Sequence, residues 1–64
     1  MAHPQFTLKT AKDGQTYFIL TAKNGQAIAQ SEMYTTKAAA LNGIESVKTN
    51  APLADVEDLT TAAA

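Results

Sequence analysis

The chain has no cysteine, which closes off disulfides and every thiolate metal site. A single histidine, His3, leaves one copy unable to build an imidazole cage, so neither a metal nor any other cofactor is expected. Arginine and tryptophan are also absent. With five lysines against six acids and a net charge of −1, the composition argues against a nucleic-acid or membrane-surface protein. Such proteins carry a basic patch and favour arginine for phosphate and base contacts. No apolar run approaches the roughly 18 residues of a membrane-spanning helix. Met1-Ala2-His3-Pro4-Gln5 has neither a basic start nor an apolar stretch, so no signal peptide is expected. A cysteine-free chain fits the reducing cytoplasm, the expected location.

What is present is a chain of 64 residues, room for one domain over 1–64. Of its 45% hydrophobic residues thirteen are alanine, leaving sixteen larger ones. Apolar burial at about 25 cal/mol per Å² and ordering at about 1.5 kcal/mol per residue nearly cancel in domains this small. Small domains escape through disulfides, metals or oligomerisation. Here only the last is open, so a second copy of the chain is the expected partner. Charge is unevenly placed. Residues 1–50 hold all five lysines against Asp13, Glu32 and Glu45, a balance of +2, whereas 51–64 hold Asp55, Glu57 and Asp58, a balance of −3.

Gln5-Phe6-Thr7-Leu8-Lys9-Thr10 alternates with the period of a half-buried strand, Phe6 and Leu8 sharing one face. Asp13-Gly14 then predicts a hairpin. Residues 15–22 form the richest β segment, and the run Tyr17-Phe18-Ile19-Leu20 suggests a central strand at least partly covered on both faces. Asn24-Gly25 suits a type I′ turn, and residues 27–31 make a lighter third strand. Thr35 or Thr36 is a natural N-cap for a helix over 37–48, with Ala40, Gly43, Ile44 and Val47 on one side, Leu41 at its border, and Glu45 and Lys48 pointing away. Gly43 costs about 0.8–1 kcal/mol against alanine in a helix interior, a cost offset if the helix backbone lies close to the sheet. Asn50-Ala51-Pro52 ends the helix. The tail allows a short strand through Val56, Leu59 and Thr60-Thr61, or a second short helix capped by Asn50. Val56 and Leu59 would face opposite sides of a regular strand, and residues 62–64 are expected to fray.

Several stretches in order resemble the YegP-like family, small bacterial and archaeal domains of unknown function. They are Ala22-Lys23-Asn24-Gly25-Gln26, Ser31-Glu32-Met33-Tyr34-Thr35-Thr36-Lys37 and Asn42-Gly43-Ile44-Glu45-Ser46-Val47-Lys48-Thr49-Asn50-Ala51. With Phe6 and Tyr17-Phe18 in register before them, the resemblance spans roughly residues 5–59, and the ordered core is expected over about 5–61. It implies an α+β fold, an antiparallel β-β-β-α-β unit, with two units sharing one sheet and exchanging their C-terminal strands. For a chain with one copy that means a homodimer, with Val56 and Leu59 in the exchanged tail. The family supplies no catalytic residues to carry over. A three-stranded sheet with one helix also leaves bare edges that proteins normally cover. Asp55, Glu57 and Asp58 are expected near lysines of the other copy.

Candidate interaction residues fall in two groups. Ser31, Glu32, Tyr34 and Lys37, with the Thr35 and Thr36 hydroxyls, join a strand to a helix start and could recognise an anion or small ligand. The plainer account is that Thr35 or Thr36 caps the helix while Tyr34 packs over its first turn. Asn42, Ser46 and Asn50 recur every four residues and could bind a ligand or extended peptide, or else bond to nearby backbone. Glu32 has no visible partner for acid–base work, and His3 near a chain end does not supply a triad. Phe6, Tyr17, Phe18 and Tyr34 could form a stacking platform for single strands, but without basic surroundings they read better as core. The expectation is a non-enzymatic module making protein or peptide contacts; the rival is a ligand or nucleic-acid binder using a groove between the dimer's helices.

Overall fold

The computed structural model describes residues 3–60. Its elements are β1 (Gln5–Thr10), β2 (Thr16–Thr21), β3 (Ala27–Gln30) and α1 (Lys37–Asn50), followed by a single 3₁₀ turn at Ala51–Leu53. The three strands form an antiparallel sheet in the order β1-β2-β3. This is the expected β-β-β-α arrangement; no fourth strand forms among the described residues. Residues 62–64, expected to fray, lie outside them, as does Thr61.

Both hairpins close in the same way. Gly14 N–H donates to Ala11 O and Gly25 N–H to Ala22 O, each at 2.9 Å, and the Ala11 and Ala22 amides donate to Gln15 O and Gln26 O, each at 2.8 Å. Asp13 Oδ1 accepts from Gln15 N at 3.1 Å, and Asn24 Oδ1 from Gln26 N at 3.0 Å. Only the glycines have positive φ, 87° in each. The second turn is therefore not the expected type I′, which needs positive φ at both central residues. It is a type I turn closed by a left-handed glycine, and Asn24 contributes a side-chain acceptor instead.

Register places Phe6 opposite Leu20, Leu8 opposite Phe18 and Leu20 opposite Ala29, so these five share the face that α1 covers. Gln5, Thr7, Lys9, Tyr17 and Ile19 fall on the other face. A bulge at Ile28 shifts the β2–β3 register. Hydrogen-bond parity follows from β2. Thr16 exchanges both backbone bonds with Tyr34 at 2.8 Å; Phe18 O accepts from Ser31 N, and Phe18 N donates to Ser31 Oγ, both at 2.9 Å. Its even-numbered residues thus bond on the β3 side, and Tyr17 and Ile19 bond toward Lys9 and Thr7. The N–H and C=O groups of Phe6, Leu8 and Thr10 must then point to the open border of β1.

The N-cap is Thr36, whose Oγ1 accepts from Ala39 N at 3.0 Å. Beyond the predicted 37–48, α1 runs two residues further, to Asn50. Ala40 and Ile44 face the sheet and, with Phe18, are the buried hydrophobic residues among those described. Phe18 and Ile44 stabilise the fold by about 1.5–3 kcal/mol each, a thin interior for a whole domain. Consistently, the chain exposes 5289 Å², where a compact protein of its mass exposes about 3,900 Å².

Candidate interaction surface

Tyr34 is fixed before any ligand is considered. Its backbone bridges to Thr16, its ring stacks on Phe18 with centroids 6.2 Å apart and planes 12° apart, and Phe6 meets Phe18 edge-on at 5.7 Å. The ring lies over Gly43, in the second turn of α1 rather than the first. A Cβ at Gly43 would stand 2.5 Å from Tyr34 Oη, 2.9 Å from its Cζ and 3.2 Å from Phe18 Cε2. The glycine gives up helix propensity to make space for an aromatic ring.

Beside this stack lies an open groove of about 280 Å³, walled by Phe6, Phe18, Leu20, Ala29 and Val47 and bordered by Ser31, Glu32 and Tyr34. Its wall is mainly apolar because four of those residues lie on the α1 side of the sheet and Val47 closes it from the helix. At the other end of α1, Lys37 and Lys9 share a depression of about 330 Å³ with Leu8, Thr10 and Thr16.

The sequence-derived candidates therefore divide. Ser31, Glu32 and Tyr34 come together at the groove; Lys37 belongs to the separate depression. Ser31 is tied to the scaffold, accepting from Phe18 N and donating from Oγ to Glu32 O at 2.8 Å. Asn42 is exposed. Asn50 Nδ2 donates to Ser46 O at 2.9 Å and to Ser46 Oγ at 3.2 Å, so those two close on each other at the helix end. Leu20, Ala29 and Val47 were not among the candidates, and Phe6 and Phe18 were weighed only as a stacking platform: their periodicity reads as core, and nothing in one chain's letters says that the core stays open.

In the tail, Ala54 is extended (φ −77°, ψ 134°), and Val56 and Leu59 are 94% and 83% exposed. Asp58 Oδ1 accepts from both the amide and the hydroxyl of Thr60, and these bonds hold its carboxyl below the ordinary value of 3.8. That Asx turn closes residues 58–60 on themselves. The described residues contain no cluster of three or more potential metal-ligating side chains. None of their helices is long and apolar enough to cross a membrane.

Comparison with known proteins gives a consistent picture. Residues 11–58 match the family model DUF1508, a domain of unknown function. A UPF0339 protein of Bordetella pertussis is 62% identical over 53 residues, 83% of this chain but 48% of that protein. The UPF0339 protein YegP of Yersinia pestis is 52% identical over 52 residues, 81% of this chain and 46% of that one. The chain thus spans about half the length of these curated relatives. Solved structures match nearly end to end. The solution structure of a Haloferax volcanii protein has a TM-score of 0.80 at 37% identity, covering 91% of this chain and 98% of that one. That of an Agrobacterium tumefaciens protein has a TM-score of 0.75 at 41% identity, covering 95% and 98%.

Proposed function

Because the chain belongs to the DUF1508 family, whose function is unassigned, we propose that it is a non-enzymatic structural or interaction module completed by a second copy. The two units share one sheet and exchange their C-terminal segments, and the module works in the cytoplasm. The observation that carries this reading is the size of the interior, in which Phe18, Ala40 and Ile44 are the buried hydrophobic residues described. The curated relatives fit it, since the part of each that this chain matches is about half of that relative's length. The surface excess, about 1,400 Å² over a compact protein of this mass, is of the size that each partner contributes to an obligate dimer.

A second reading, an anionic small ligand or nucleic-acid segment held between the two helices of the pair, is favoured by Lys9 and Lys37 at one depression. The net charge of −1 and the lack of arginine weigh against it. Sedimentation equilibrium of the full chain at micromolar concentration tests the main reading. The expected mass is twice 6.7 kDa; a compact monomer refutes it.

A further inference from the structure

The two hairpin loops are spelled almost identically. Ala11-Lys12-Asp13-Gly14-Gln15 and Ala22-Lys23-Asn24-Gly25-Gln26 differ at one position, Asp13 against Asn24. Their geometry is shared as well. In each, the side-chain Oδ1 accepts from the glutamine amide, at 3.1 Å from Asp13 and 3.0 Å from Asn24, and the glycine has a φ of 87°. The closing backbone bonds have the same lengths, 2.8 and 2.9 Å. An aspartate thus already occupies, in the first loop, the place that asparagine holds in the second. Hydrolysis of the Asn24 side-chain amide would convert one loop's sequence into the other's.

Asn24 and Asn42 both precede a glycine. In such a pair the glycine amide can attack the side chain before it, because no Cβ obstructs the approach and the ring closure is intramolecular. We propose that Asn24 is a site of spontaneous deamidation whose aspartate product the loop accepts without rearrangement, while the fold keeps Asn42 unreactive. Gly25 N gives its proton to solvent base and bonds to Asn24 Cγ; the Cγ–Nδ2 bond breaks and ammonia leaves with a proton from water. Water then opens the succinimide. Breaking the bond from Gly25 N to Cγ yields aspartate, and breaking the one to the backbone carbonyl carbon yields isoaspartate. Either product lowers the net charge by one from −1. Isoaspartate lengthens the main chain by one carbon and has no counterpart in the first loop.

The two sites differ in what must open first. Both glycine amides are engaged in the folded chain: Gly25 N–H donates to Ala22 O at 2.9 Å, and helical bonding commits Gly43 N–H to Ala39 O. Freeing Gly25 takes only the tip of a hairpin, where residues 23–26 are all exposed. Freeing Gly43 means unwinding α1 in its second turn, beneath the Tyr34 ring and against Phe18. Loop tips open at lower free energy than packed elements. Asn24 therefore reacts through fraying of its loop, whereas Asn42 waits for the aromatic stack to come apart.

The test holds the full chain in mildly alkaline buffer, folded and in urea, and follows both sites by mass after cleavage at lysine in mild acid. Asn24 and Asn42 fall in separate peptides, 24–37 and 38–48. The ratio of folded to unfolded rate should be about tenfold or more higher at Asn24 than at Asn42. In the amide spectrum the aspartate fraction should overlay an Asn24→Asp variant, whose Gln26 amide stays hydrogen-bonded and whose urea midpoint matches that of the natural chain. Equal ratios at the two sites overturn the assignment, as does an Asn24 left intact in the folded chain over the time that consumes it in urea. An Asn24→Asp chain with a loosened second hairpin overturns the claim about the product.

Discussion

Replacing Gly43 with alanine should destabilise the protein, although helix propensity alone predicts the reverse. In an interior turn the change gains about 0.8–1 kcal/mol. Against that, the new methyl would stand 2.5 Å from Tyr34 Oη and 2.9 Å from Cζ, well inside contact distance. The ring is held where it is, because the Tyr34 backbone is bonded both ways to Thr16 and the ring stacks on Phe18, which is itself 3.2 Å from the new methyl. Overpacking of this kind costs about 1–3 kcal/mol, and losing the aromatic stack about 0.5–1.5 kcal/mol more. The net expectation is a loss of about 1–3 kcal/mol. Urea denaturation at one fixed protomer concentration reads it as a lower midpoint at unchanged slope. The decisive control is Tyr34→Ala. In that background both sub-3 Å contacts are gone and only the 3.2 Å approach to Phe18 Cε2 remains, so Gly43→Ala should cost far less than in the natural sequence or stabilise by up to about 1 kcal/mol, a coupling the double-mutant cycle measures. A stabilising Gly43→Ala in the natural sequence would refute the steric account.

Three further outcomes are expected. Thr36→Ala removes the acceptor for Ala39 N and should cost about 1 kcal/mol in the same denaturation assay, while Thr35→Ala should cost much less. Val56→Asp places a charge on a side chain that is 94% exposed in the single unit. It should leave the chain's own packing intact yet shift sedimentation toward the monomer; an unchanged mass would clear Val56 of any part in assembly. The turn at Asp58 should respond to acid. Since its folded pKa lies below 3.8, whatever the turn contributes is present above that pH and is lost as pH falls through the folded value. The Thr60 amide shift should therefore titrate with a midpoint below 3.8, moving upward in Thr60→Ala.

The elements were legible because their signals are local. Alternation marks β1, and the residues of β1 match the expected ones at both ends. Thr36 announces α1, and Pro52 marks its end, to within two residues. The turn type was misread because Asn-Gly fits two hairpin geometries, and a loop of this length takes the one in which only glycine is left-handed. The pairing of Tyr34 with Gly43 was hidden for a different reason: a costly glycine marks a close approach without naming what approaches. The groove draws on three strands and a helix, so no run of neighbours spells it out. The tail stayed ambiguous because a strand is defined by what it pairs with, and among the described residues nothing pairs with the tail.

The twin clasps at Ala11–Gln15 and Ala22–Gln26 bear on how quickly the molecule matures. Each joins residues only four positions apart, so the meander can assemble from sequence neighbours with little loop-closure cost, on the microsecond scale of isolated hairpins. In the paired form proposed above, what remains is a collision between two molecules, and its rate follows how many are present. Supply, more than the intrinsic speed of the chain, would then set the pace of completion.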